Sequence, residues 1–213
     1  MGLATRKRGR PATASRADVV RAVTEQYLDG RRVDLTVVAR QLGLSRATIY
    51  RWFGSREALV GEVIAHQLEL LIARKRAQVR RRGAAGLLDV FDRTNRGLAQ
   101  SPALRRFLEQ EPGGAMRLLT SSTGVVQPRA VACVEALIAD EVSAGTYVAP
   151  AEPATLAYAI VRLAEAFLYN DAAIGIRGDH GRLRDVEAAL LGVPLAPRSR
   201  PARRRSPSAR TPP

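Results

Sequence analysis

The side chains that most often carry chemistry are scarce in this chain: two histidines, His66 and His180, and one cysteine, Cys133. His66 falls in a long helical stretch and His180 in a glycine-rich segment. Neither stands at a spacing that holds a metal or activates a nucleophile. A single cysteine allows no intrachain disulfide and no cysteine-based metal cluster. No glycine-rich phosphate loop follows a strand pattern. The expectation is no enzyme, no metal and no cofactor. What remains is cationic and hydroxyl chemistry, concentrated at Ser45, Arg46, Ala47, Thr48, Tyr50, Arg51, Trp52 and Arg56. These are side-chain types that reach phosphate oxygens and base edges in a DNA groove.

Two short helices must position those residues. Asp34 is a good N-cap for Leu35 to Leu42, and Gly43 ends that helix and permits a sharp turn. Ser45 caps a second helix from Arg46 to Phe53, and Gly54-Ser55 breaks the chain again. Val38, Ala39, Leu42, Leu44 and Ile49 can share a core, with Ala39 small where the helices cross. The pattern over 34–53 predicts a helix-turn-helix whose second helix exposes the basic and hydroxyl face. A preceding helix over 16–29 carries Val19, Val20, Val23, Tyr27 and Leu28 at helical spacing.

The charge agrees with a polyanionic partner. The chain carries a formal net charge of +14. Residues 1–60 hold twelve basic and five acidic residues, and residues 198–213 hold six arginines and no acid. The ends are basic and the middle is close to neutral, so a polyanion is expected to meet the ends. Lys7-Arg8-Gly9-Arg10-Pro11 has the core of an AT-hook, in which Arg8 and Arg10 lie along a narrow minor groove. The alternative for this arm is unspecific attraction. The basic tail reads as a disordered solubilising end, or as a second source of such attraction.

The remaining sequence reads as helix throughout. Hydrophobic residues make up 46% of the chain but aromatics only 5%, a balance that suits packed helices better than strands. A long fourth helix is expected over 56–82, with Arg80-Arg81-Arg82 at its C-terminal end, where positive charge favours the dipole. Further helices are expected from Gly83, over 102–110, 115–121, 128–143 and 154–173, and over 183–191. Pro112-Gly113-Gly114 reads as a break and Gly175, Gly178 and Gly181 as a loop. The fold class is all-α, with nine or ten helices. The expected division is a flexible basic arm at 1–15, a three-helix DNA-binding domain at 16–60, a helical regulatory and dimerisation domain at 61–193, and a basic tail at 194–213. No apolar run approaches the roughly 20 residues needed to span a bilayer, and no apolar stretch follows the basic start. The chain is expected to be cytoplasmic, with no membrane partner.

The run Val38-Ala39, Gly43-Leu44-Ser45, Thr48-Ile49-Tyr50, Phe53, Ser55-Arg56-Glu57 and Leu59 resembles the signature of the TetR family of bacterial transcription regulators. Segments 121–128 and 152–171 resemble its QsdR-like branch. The resemblance implies a homodimer that binds a palindromic double-stranded DNA operator through its N-terminal helices. It also implies release by a small-molecule effector held in the C-terminal body, and hence repression. There are departures: Asp34 stands where Thr is common, Trp52 where His or Tyr is common, and Arg56 where Lys is usual. Trp52 would meet a phosphate through its indole N–H. Arg56 would hold a phosphate at the start of the fourth helix.

In the body, Leu156, Ile160, Leu163, Phe167, Leu183, Val186 and Leu190 are candidates for a two-fold helical dimer contact, or for the core of the monomer. Arg162, Glu165 and Tyr169 interrupt an apolar helix. They line a ligand cavity or, for Arg162 and Glu165, form a self-satisfied pair. The resemblance adds Phe91, Asn95, Phe107, Met116 and Thr120 as possible lining residues. The resulting expectation is a ligand-responsive repressor; the alternative is a sequence-blind architectural DNA-binding protein.

Overall fold

The computed structural model describes residues 14–169 and 179–194. The AT-hook candidates Arg8 and Arg10, most of the arm and nearly all of the tail lie outside the described residues. Those described form ten α-helices and no strand: α1 Arg16–Leu28, α2 Leu35–Leu42, α3 Arg46–Phe53, α4 Arg56–Ala77, α5 Gly83–Ala99, α6 Pro102–Gln110, α7 Pro112–Thr120, α8 Val126–Ser143, α9 Pro153–Tyr169 and α10 His180–Leu191. Among the described residues no helix is long and apolar enough to cross a membrane.

Local chemistry starts most of these helices. Ser15 forms a capping box with Asp18 at α1. The Asp34 carboxylate accepts from the Thr36 N–H at 2.7 Å, Ser45 Oγ from the Thr48 N–H at 3.1 Å, and Ser55 Oγ from the Ala58 N–H at 2.9 Å. Each satisfies a backbone donor that the first turn leaves unpaired. Gly43 closes α2 at φ +64°, in the left-handed region that favours glycine. The three N-terminal helices therefore fall where capping and glycine rules place them.

Where helix ends differ from expectation, tertiary contacts or proline explain it. The fourth helix stops at Ala77, five residues before Arg82. Val79 turns inward and is buried, and Arg76 Nη1 donates to its carbonyl at 3.1 Å. Arg80-Arg81-Arg82 is thus a connection, not a helix end: Arg81 pairs with Asp89 and Arg82 with Glu141. Pro112 begins α7 instead of breaking the chain, because its fixed φ and missing N–H suit the first helical position. α8 begins at Val126, before Pro128, since no intrahelical N–H is needed there. Gly181 and His180 lie inside α10, which Asp179 caps by accepting from the Arg182 N–H at 2.9 Å.

Two apolar clusters organise the packing. The first joins α1, α2, α3 and the start of α4 to Ala103, Leu104 and Phe107 of α6 and to Ala115 and Leu119 of α7. The second is built from α5, α8, α9 and α10, with Val79 and Tyr147 from the connections. The expected domain boundary at 60/61 falls inside the unbroken α4, which runs through both clusters.

Candidate nucleic-acid interface and interior cavity

α3 is held by its inward face and leaves the other free. Ile49 and Phe53 are buried in the first cluster, and Trp52 is half-buried against it. Arg46, Ala47 and Arg51 are exposed, and Tyr50 is 37% exposed. Thr48 is half-buried and shares a 2.9 Å hydroxyl contact with Ser45. The Arg46 guanidinium lies over the Tyr50 ring, 5.7 Å from its centroid. This arrangement holds its long side chain near α3 without neutralising the charge. Asp34, held in a low-pKa state mainly by the Thr36 backbone N–H, adds weak attraction to Arg46. Arg16, which the sequence reading did not single out, stacks over Phe53 at 4.6 Å. Arg46, Ala47, Thr48, Tyr50 and Arg51 are thus brought together on α3, with Ser45 at its N-cap.

Arg56 departs from expectation. Its side chain, at the head of α4, is only 19% exposed and is turned onto the protein itself. Nη2 and Nη1 donate to the two Glu111 carboxylate oxygens at 2.6 and 3.0 Å, and Nε donates to the Val33 carbonyl at 2.9 Å. Arg32 joins the same carboxylate at 3.1 Å. Arg56, helped by Arg32, holds the Glu111 carboxyl below the usual carboxylate range. The fork geometry of the guanidinium is filled by the protein itself. The reason is tertiary: Glu111, at the α6–α7 junction, comes from 55 residues away in sequence.

The body holds a partly open cavity of about 70 Å³ between α4, α5, α7, α8, α9 and α10. Of the sequence candidates, Phe91, Asn95, Glu165 and Tyr169 line it. Phe107 instead packs edge-on to Tyr27 at 6.3 Å, tying α6 to α1. Met116 is half-buried away from the cavity, and the Thr120 hydroxyl donates to the Met116 carbonyl at 2.8 Å. Arg162 is exposed and clamps the end of α7: its Nη1 donates to the Thr120 carbonyl at 3.0 Å and to Glu165 at 2.7 Å. The expected Arg162–Glu165 pair therefore forms, with only its acidic member on the cavity wall. Burial raises the Glu165 carboxyl despite Arg162.

Sequence reasoning missed Thr94 and Glu187 on the same wall. Asn95 Nδ2 donates to Glu187 Oε1 at 2.8 Å. Glu187 lies on an amphipathic helix where an acid reads as solvent-facing, so its sequence position carries no signal. The apolar contact candidates also divide. Leu156, Ile160 and Leu183 are buried within the chain's own second cluster or beside it, and Ile160 lines the cavity. They are core of the single chain, because α9 packs on α8 and α10, and α10 packs on α5. Leu163, Phe167 and Leu190 are half-buried, and Val186 is 38% exposed. Among the described residues no group of three His, Cys, Asp or Glu side chains is placed to hold a metal ion.

Residues 82–192, more than half the chain, match the family model described as the Tetracyclin repressor-like C-terminal domain. No curated protein sequence matches the chain. Among solved structures, it is similar to the transcriptional repressor QsdR of R. erythropolis, a TetR-family protein, at 28% identity. The TM-score is 0.79, over 86% of this chain and 97% of that one. It also shares a fold with the TetR-family repressor AlkX of Dietzia sp., implicated in biodegradation of n-alkanes. There the identity is 21% and the TM-score 0.57, over 85% of this chain and 98% of the other. The all-helical architecture, the capped helix-turn-helix and the matched C-terminal body agree: the chain belongs to the TetR family of transcriptional regulators.

Proposed function

We propose that this chain is a non-enzymatic, cytoplasmic repressor that binds a palindromic double-stranded DNA operator as a homodimer and is released by a small molecule. In this reading residues 16–60 are the DNA-binding unit and residues 61–193 the regulatory and dimerisation unit. The observation that carries it is the exposed face of α3, where Arg46, Ala47, Tyr50 and Arg51 project from a helix anchored by Ile49 and Phe53. A rigid helix with a free basic and hydroxyl face fits a major groove. The +14 net charge supports phosphate attraction. Arg8 and Arg10 are proposed to follow the DNA into the adjacent minor groove, and Trp52 to meet a phosphate through its indole N–H. Val186, Leu163, Phe167 and Leu190 are proposed to meet their counterparts across a two-fold axis. The cavity lined by Phe91, Asn95, Glu165 and Tyr169 is proposed as the effector site.

Genomic footprinting with the purified chain tests the reading and yields the operator. Competition at fixed salt should then show a preference of about 10³-fold or more for that site over unrelated DNA. Arg46→Ala and Thr48→Ala should each cost about 1–3 kcal/mol if the residue reads a base. Equal binding to all DNA, unchanged by either substitution, would mark a sequence-blind architectural protein, which the basic ends of the chain would also suit.

A further inference from the structure

The cavity wall carries two polar atoms left without a partner. Glu187 Oε2, from α10, and Thr94 Oγ1, from α5, are buried and unpaired among the described residues. Glu187 is 0% exposed. Asn95 fixes the carboxyl through Oε1 and leaves Oε2 unused. Buried polar atoms are nearly always satisfied, so an orphaned pair on a cavity wall points to a missing donor.

The charges around the pair define that donor. Arg184, the cation of α10 nearest to Glu187, is spent on Asp89 and Asp92 at 3.0 and 3.5 Å. Arg162 of α9 is spent on Glu165. Among the described residues the ionisable groups on the cavity wall are Glu165, Glu187 and Tyr169, and no Lys, Arg or His lines it. The rest of the wall is apolar, including Leu68, Ile72, Phe91, Val134 and Leu168. An acidic carboxyl without a counter-charge, facing an apolar space, favours a cation that brings its own N–H donors.

We propose that Glu187 and Thr94 anchor the protonated amine of a lipophilic amine, with its hydrocarbon body along Leu68, Phe91 and Leu168. The ammonium donates to Glu187 Oε2 and to Thr94 Oγ1, and supplies a counter-charge that no described wall residue supplies. The proposal rests on the reading of this cavity as the effector site. Burial, with Asp92 adding to it and Asn95 and Arg184 opposing, raises the Glu187 carboxyl to about 7. The amine stabilises the ionised form, so binding should release up to one proton from the carboxyl and strengthen as pH rises through 7. Glu165 on the facing helix is paired with Arg162 and adds negative potential.

Calorimetric titration of the full chain with n-octylamine, n-octanol and n-octanoate tests this. Octylamine should bind once per chain, at least about tenfold tighter than octanol. Octanoate should not bind, although the positively charged surface would favour it. Glu187→Gln keeps the side-chain shape; it should lower octylamine affinity by about tenfold or more and leave octanol unchanged, which also reports an intact cavity. Octylamine binding no tighter than octanol, or retained in Glu187→Gln, overturns the amine anchor. Footprinting with octylamine separates the two readings. Octylamine that binds through Glu187 while operator protection persists keeps the anchor and removes the ligand-released repressor.

Discussion

Two regions of the body each bury one glutamate, and they treat it in opposite ways. At the α4–α5 connection Glu141 is 2% exposed. It accepts from Thr146 Oγ1 at 2.6 Å, the Gly83 N–H at 2.8 Å, Arg76 at 2.9 Å and Arg82 at 3.1 Å. Burial pushes its carboxyl up, but the bonds from Thr146 and Gly83 and the two arginines win, and its pKa falls. At the cavity, Glu187 has one donor and an idle oxygen, and its pKa rises to about 7. The same residue type is a structural rivet where the fold completes its shell and an open binding group where it does not.

The widest separation should come from neutralising each. Glu141→Gln strips the partner from two arginines and should cost about 3–5 kcal/mol in denaturant unfolding. Glu187→Gln replaces a buried carboxyl that is already about half neutral at pH 7, and should be neutral or stabilising there. Equal losses would erase the distinction.

The pH dependence should differ in sign. The folded pKa of Glu187 lies above its unfolded value, so the folded chain holds the proton longer. Its contribution therefore declines as pH rises from the unfolded value near 4.5 to about 7, by on the order of 3 kcal/mol. Glu187→Gln should flatten that slope. Glu141, with a lowered folded pKa, stabilises above the ordinary carboxylate value and loses that stability as pH falls through its folded value. Urea unfolding midpoints from pH 4 to pH 8 would read both.

Gly83 sharpens the rivet further. It sits at φ +66°, and an added Cβ would lie 2.4 Å from the Thr146 carbonyl oxygen. Gly83→Ala should cost about 2 kcal/mol or more, seen as a lower melting temperature. The smallest contrast uses threonine. Thr146→Val removes a hydrogen bond to a charged group and should cost about 1.5–3 kcal/mol. Thr94→Val removes an unsatisfied hydroxyl and should stay within about 1 kcal/mol of neutral. Comparable costs would mean that Thr94 has a partner in solution.

The head of the molecule was legible because its rules are local. Asp34, Gly43 and Ser45 act on neighbours within three or four residues, so α2 and α3 could be bounded without knowing the fold. The exposed side chains of α3 follow from the same periodicity. The pairing of Arg56 is not legible there, because its partner, Glu111, is remote in sequence. The end of α4 was misplaced for the same reason: Glu141 gathers Arg76, Arg82 and Gly83 from the far side of the bundle. On the cavity wall, Phe91 and Asn95 share a helical face visible in the sequence, whereas Glu187 looks like a surface acid until α10 docks on α5.

Sequence alone determined the all-α class, the helix-turn-helix and the identity of its exposed face, because capping, glycine conformation and 3.6-residue periodicity are short-range physics. Only the tertiary structure decided which charges are spent and which are left over. Arg56 is consumed by Glu111, Glu141 is fully satisfied, and Glu187 is not. That outcome depends on which helices meet, since a buried charge is defined by the partners its neighbours bring.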